Sequence, residues 1–209
     1  MIEVMDEGIG LLMDELDGLG LRENTLVIFA SDNGPDPLAG ERFNHQLIGA
    51  KYEVYEGGVH VPFMVNWPAK LESSSRDDVI HFMDVVPTLA EVCDLDLTTT
   101  LAIDGASFAD VLFDGERDEG DHFWQWNRGV PNYAHNAAVR DGDWKLVRPF
   151  VTRNLIKDEQ PLIPALYNLK DDPFETTDLA GQYPERVEKM NAKIDTWATS
   201  VEKDRIRHD

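Results

Sequence analysis

Between Thr25 and Pro68, two short apolar runs enclose a polar loop, and this arrangement constrains the fold more than any other feature of the sequence. The first run, Thr25 to Ala30, is rich in β-branched and aromatic residues and reads as a buried strand. It stops at Ser31-Asp32-Asn33-Gly34-Pro35, which sets a carboxylate and an amide at the carboxyl end of a strand. In α/β sheets that end is where ligand-binding groups collect. Lys51 comes seventeen positions after Gly34, followed by the turn Glu56-Gly57-Gly58 and a second apolar run, Val61 to Val65. Two expected buried strands therefore flank a loop that carries Asp32, Asn33, Lys51 and Glu56.

The chain has 209 residues, enough for one domain or for a domain with a small appendage, and enough to bury a sizeable core. Its 40 acidic residues against 19 basic ones give a formal charge of −21, which repels phosphate and argues against a nucleic-acid partner. Such a balance suits a solvated acidic surface, or one that recruits a cationic partner. Cys93 is the single cysteine, so no disulfide forms within the chain. It lies in an apolar helical run and is expected to be a buried, inert thiol. No run is long enough to span a membrane, and no secretory leader stands at the start.

Ahead of the first strand, Ile2, Met5, Ile9, Leu12, Leu16 and Leu19 step by three and four, which predicts one apolar face on a helix of about five turns. No capping residue precedes that helix, so Met1 reads as an internal methionine. The loop from Asp36 to Gly49 contains Phe43 and His45, which could line a substrate pocket, although a lone loop histidine can equally face solvent. Asp84 is expected to cap a helix from Val85 to Cys93, with Pro87 in its first turn. A short helix is expected around Phe108 to Leu112. The composition shifts near Gly115, which places a boundary between 1–114 and 115–209. Beyond it, His122 to Asn127, two segments flanking Asp141-Gly142, and Leu166 to Leu169 predict a small antiparallel sheet. Val187, Met190, Ile194, Trp197 and Val201 then form one face of a helix that starts at Pro184.

Three separate blocks, in this order and spacing, resemble the sulfatase family of the alkaline-phosphatase-like superfamily. They are Thr25-Leu26-Val27-Ile28-Phe29 with Ser31-Asp32-Asn33-Gly34; Lys51; and Tyr55-Glu56-Gly57-Gly58-Val59 with Val61-Pro62 and Trp67-Pro68. Ala137 to Val147, Leu166 to Leu169 and Asp172-Pro173 with Glu175-Thr176 resemble the C-terminal subdomain of that family. The resemblance implies an α/β fold in which 1–114 belong to a mainly parallel alkaline-phosphatase-like sheet with helices. A small antiparallel sheet packed with a C-terminal helix would follow in 115–209. It covers nearly the whole chain but only the C-terminal portion of a family member.

The implied activity is hydrolysis of a sulfuric ester on a sulfated small molecule or glycan. By the resemblance, Asp32 and Asn33 are one pair of ligands to a single Ca²⁺, an assignment that hard oxygen donors suit. Read from the residues alone, the same pair could be a strand-ending turn. Lys51 is implied as the catalytic, sulfate-binding lysine, with His45 a weaker substrate-binding candidate, and Glu56 reads as a turn-fixing residue. The family also supplies two further aspartates from an N-terminal strand and a Cys/Ser-x-Pro-Ser-Arg motif that becomes the formylglycine nucleophile; no such motif is found in this sequence. The calcium shell is thus incomplete here, the expected partner is the N-terminal half of a sulfatase, and the chain by itself is expected to be inactive. His60 replaces a common arginine, and Tyr52-Glu53-Val54 replace the usual small residues after the lysine. A phosphodiester or phosphonate monoester hydrolase of the same superfamily, or a non-catalytic acidic binding module, are the other readings. The family implies a periplasmic or secreted location.

Overall fold

The computed structural model describes residues 1–39, 44–97, 103–117, 120–149 and 163–206, so Phe43 lies outside the described residues. The chain divides into two compact units, Met1–Ala30 with Pro62–Asp118, and Ser31–Val61 with Glu119–Asp209.

In the first unit, helix α1 (Ile2–Gly18) has no capping side chain, as its lack of a start signal predicts. Strands β1 (Val27–Ala30) and β2 (Phe63–Asn66) pair antiparallel, with Ile28 opposite Val65. A mainly parallel α/β sheet accommodates such a pair at its margin. Neither strand is fully buried, which corrects the expectation of two buried strands: β1 is half-buried and β2 alternates. No further strand lies beside them among the described residues.

Helix α3 (Val85–Val92) and the short helix α4 (Ala109–Leu112) form the unit's small core, where Ala90, Phe108, Ala109 and Val111 are buried. The Phe108 ring meets Phe63 edge-on at 5.9 Å. Asp84 does not cap α3 with its side chain, contrary to expectation. Its fully buried carboxylate instead accepts from the N–H groups of His81 and Ala106, both at 2.9 Å, and pairs with Arg117 at 3.0 Å. Cys93 is exposed, not buried, because α3 ends one residue before it and leaves the thiol at the helix terminus.

The second unit is built on a four-stranded antiparallel sheet in the order β3 (His122–Gln125), β4 (Ala137–Asp141), β5 (Trp144–Arg148), β6 (Ala165–Asn168). The β4–β5 turn is centred one residue later than the sequence suggests. Asp141 pairs with Trp144, and Gly142 adopts the positive φ of 58° that the first central position demands. Alternation along the strands divides the sheet's faces. Ala137, Val139, Leu146 and Leu166 pack against Met190 and Ile194 of helix α5 (Pro184–Ile206). Ala138, Val147 and Tyr167 pack instead against Val54 and Tyr55. Each large side chain fully buried in this way contributes about 1.5–3 kcal/mol. Lys193 of α5 bridges Asp121 and Asp141 at 2.6 Å each, fixing the helix along the sheet.

Helix α1 buries none of its residues, and Ile2, Met5, Leu12 and Leu19 of the apolar stripe are exposed. An exposed apolar stripe of this length is a site for association. The 209-residue chain should therefore self-associate in sedimentation velocity, and Leu12→Glu with Leu19→Glu should return it toward monomer. A monomeric parent chain would contradict this.

Candidate functional site

The residues expected to carry chemistry all fall in the second unit, where backbone packing of unusual closeness holds them. The Gly34 N–H donates to the Gly58 carbonyl at 3.0 Å, the Gly57 N–H to the Ile48 carbonyl at 2.7 Å, and the Lys51 N–H to the Pro35 carbonyl at 2.8 Å. A Cβ at Gly34 would collide with the Gly57 carbonyl oxygen, and one at Gly58 with the Glu53 carbonyl oxygen. Glycine is needed at both positions because two backbones touch there. The Asp32-Asn33-Gly34 turn, the Lys51 backbone and the Glu56-Gly57-Gly58 segment are thereby joined.

The glycine segment opens the short helix α2 (Glu56–Val59), which is anchored by charge. Lys145 projects from β5 onto the Val54 side of the sheet, fully buried, with its Nζ 2.7 Å from Glu56 Oε1 and 3.0 Å from Glu175 Oε1. The Glu56 N–H donates to Glu175 Oε2 at 2.6 Å. His60 Nδ1 stands 3.3 Å from Glu56 Oε2, at the solvent side of the cluster. Burial pushes the Glu56 carboxyl upward, but the Lys145 charge and the His60 and Lys145 contacts outweigh it and hold the group at about 2. Burial prevails at Glu175, whose carboxyl is pushed up despite the same lysine. The contact with Glu56 raises the His60 imidazole above its ordinary range. Two carboxylates share one ammonium.

Asp32 is exposed and Asn33 half-buried at the turn. The Ser31 hydroxyl donates to the Asn33 backbone carbonyl at 2.9 Å, and neither the Asp32 nor the Asn33 side chain has a hydrogen bond or ion pair among the described residues. Both therefore present free oxygen donors, the type a hard cation takes. No group of three His, Cys, Asp or Glu side chains that could hold a metal occurs among the described residues. The pair could hold a metal only as part of a larger shell. Lys51 is half-buried with its Nζ over the Tyr52 ring, whereas His45 is exposed and has no hydrogen bond or ion pair to these residues.

Reading the sequence missed Lys145 and the role of Glu175 as its charge partner. The signal for Lys145 was present: a lysine in the middle of Trp144-Lys145-Leu146-Val147, at a position whose strand neighbours are apolar. Nothing local indicated its partners.

Deleting the ammonium leaves two buried carboxylates without a counter-charge, so Lys145→Met should lower stability by about 3–5 kcal/mol in denaturant titrations. The pH profile tests the same cluster. Glu56 holds its proton less tightly when folded, so its contribution is complete above its ordinary 4.5 and is lost as pH falls through about 2. Glu175 has the opposite sign: its contribution is present below the ordinary carboxylate range and is lost as pH rises through its raised folded value. Denaturation midpoints should rise along the acid limb and fall beyond it. Glu56→Gln should flatten the first limb and Glu175→Gln the second, and a profile that neither variant alters would contradict the assignment.

The sulfatase family model matches residues 1–95. N-acetylgalactosamine-6-O-sulfatase of Bacteroides thetaiotaomicron is 30% identical over 93% of this chain and 40% of its own length. Mouse steryl-sulfatase is 36% identical over 94% of this chain and 36% of its own length. A solved structure from work on glycosaminoglycan metabolism by Bacteroides thetaiotaomicron superposes with a TM-score of 0.76 at 29% identity, covering 93% of this chain and 43% of that one. The phosphonate monoester hydrolase of Agrobacterium radiobacter, at 22% identity and a TM-score of 0.61, shares the fold. The chain spans between 25% and 43% of the length of the curated relatives it matches.

Proposed function

The chain belongs to the sulfatase family, and from that premise we propose that it contributes the metal-binding turn and the sulfate-binding lysine of a sulfuric ester hydrolase. One observation supports this reading above others. The loop carrying Asp32 and Asn33 is bonded to the segment carrying Lys51, through Pro35 and Lys51 on one side and Gly34 and Gly58 on the other. Residues far apart in the chain are thereby held side by side.

Asp32 and Asn33 would be one pair of oxygen ligands to Ca²⁺, the remainder of a shell of roughly six to eight coming from outside this chain. When bound, the cation draws negative charge from the sulfate oxygens and makes sulfur more electrophilic. Lys51 is a compact charge with three donors, able to hold a sulfate oxygen and to stabilise the leaving ester oxygen as charge develops on it. Asn33 would orient the sulfate group against Lys51. The sequence has no Cys/Ser-x-Pro-Ser-Arg motif, so the formylglycine nucleophile would lie in the portion that the relatives carry in addition. We therefore expect no turnover by the 209-residue chain alone, and a sulfated glycan or small molecule as substrate of the complete assembly.

By calorimetry the isolated chain should bind Ca²⁺ only at about millimolar levels or weaker, since ligand count governs affinity. Joined to a sulfatase N-terminal portion bearing formylglycine, it should hydrolyse an aryl sulfate in preference to an aryl phosphonate. There, Lys51→Ala should lower kcat/KM by about 10²–10³. Aryl sulfate turnover by the chain alone, or a joined enzyme indifferent to Lys51→Ala, would overturn the proposal.

A further inference from the structure

The residue that follows the proposed sulfate lysine is strained. The Glu53 N–H donates to the Ala50 carbonyl at 3.0 Å, which closes a turn around Lys51 and Tyr52. Tyr52 stands at the third position of that turn with a φ of 83°. A positive φ there suits glycine, and a bulky residue adopts it only at a cost. Such a conformation persists where its surroundings hold it, and here the turn is held on both sides. The Lys51 N–H donates to the Pro35 carbonyl at 2.8 Å. On the other side, Asn136 Nδ2 donates to the Tyr52 carbonyl at 2.7 Å.

Asn136 is well placed as an anchor. It is 1% exposed and lies immediately ahead of β4. Its N–H donates to the Pro149 carbonyl and its carbonyl accepts from the Trp126 N–H, both at 3.0 Å, so its backbone continues the sheet. Its Nδ2 also donates to the Trp126 carbonyl at 2.7 Å. The two hydrogens of the amide are thereby committed, one to the sheet and one to Tyr52, 84 residues away. Asn136 Oδ1 has no hydrogen-bond partner among the described residues, so the donors hold the side chain in place. Two carbonyls face this group, and a carboxylate of the same shape would set acceptor against acceptor.

We propose that Asn136 is a positioning residue for Lys51. Through the Tyr52 carbonyl it ties the turn that carries the lysine to the end of the four-stranded sheet, and so fixes the direction in which the ammonium leaves the backbone. The consequence for turnover rests on the reading of Lys51 as the sulfate-binding residue, whereas the tether itself does not. Lys51 Nζ lies 5.6 Å from the centre of the Tyr52 ring, which gives its position a signal of its own.

Two measurements test this. In the first, the lysines of the 209-residue chain are dimethylated with isotopically labelled methyl groups, which keeps their charge. The Lys51 methyl signal, identified by its loss in Lys51→Arg, should be displaced upfield by the Tyr52 ring. Asn136→Ser should abolish that displacement. Val139→Ala, which opens a cavity in the neighbouring core, should preserve it. In the second, the chain is joined to a sulfatase N-terminal portion bearing formylglycine. There Asn136→Ser should lower kcat/KM about 10–100-fold, the scale of a misplaced catalytic group, and should lower it no further in a Lys51→Ala background. Tyr52→Gly, which takes a positive φ without strain, should reduce the effect of Asn136→Ser. A displacement lost in both Asn136→Ser and Val139→Ala, kept in both, or absent from the parent chain overturns the tether. An Asn136→Ser effect that persists undiminished in Lys51→Ala overturns the positioning role. If Lys51→Ala changes nothing, or the joined enzyme is inactive, while Asn136→Ser abolishes the displacement, the sulfate reading falls and the positioning role with it, and the tether stands. If Asn136→Ser does not fold, the cycle is run in the Tyr52→Gly background, and unfolding there as well overturns the proposal.

Discussion

A buried lysine held between two buried glutamates is the constraint on which the second unit depends. Taking three charges out of water is unfavourable unless the geometry is close and the remaining polar atoms are satisfied. Here the ammonium of Lys145 reaches both carboxylates, and Glu175 also accepts the backbone N–H of Glu56. The consequence travels outward along the backbone. Glu56 begins the segment whose next two residues are glycines, and the missing Cβ of Gly34 lets the Asp32-Asn33-Gly34 turn sit in backbone contact with that segment. A charge on the central part of a sheet thus determines where a surface loop lies. A buried ion cluster of this kind specifies position more than it adds stability, which is its expected use where a site must be held in one arrangement.

Much of this was legible in the sequence, and what was not has a common cause. The stripe Val187, Met190, Ile194 on α5 and the strand pattern around Asp141-Gly142 are local periodicities, and the structure follows them to within a residue at the hairpin turn. Local patterns do not say what covers a surface. Cys93 and the two strands β1 and β2 look buried from their apolar neighbours, yet the thiol is exposed and the strands only partly covered. Asp84 stands at a helix start and reads as a cap, but its carboxylate serves a loop 22 residues away. The candidate site divides in the same manner. Asp32, Asn33, Lys51 and the glycines could be picked out by their blocks and spacing. Lys145 and Glu175 lie 89 and 119 residues from Glu56, and only the fold brings them there.

Particular residues of the second unit carry strain of their own. After Lys51 this chain has Tyr52, held in a costly backbone conformation with its ring 4.8 Å from that of Trp126 and tilted by 43°. Strain of that sort persists only when its surroundings enforce it, and it concentrates where ligands are gripped. Asn136 is the enforcing group.

The central claim is that the buried charge cluster holds the backbone of the Asp32-Asn33-Gly34 turn in place, and amide hydrogen exchange of Gly34 tests it most directly. In the parent chain the Gly34 N–H, bonded to the Gly58 carbonyl, should exchange slowly. In Lys145→Met, measured where the β4 and β5 amides remain protected, Gly34 and Gly57 should lose their protection. Retained protection at Gly34 in that variant, with the sheet intact, would contradict the account.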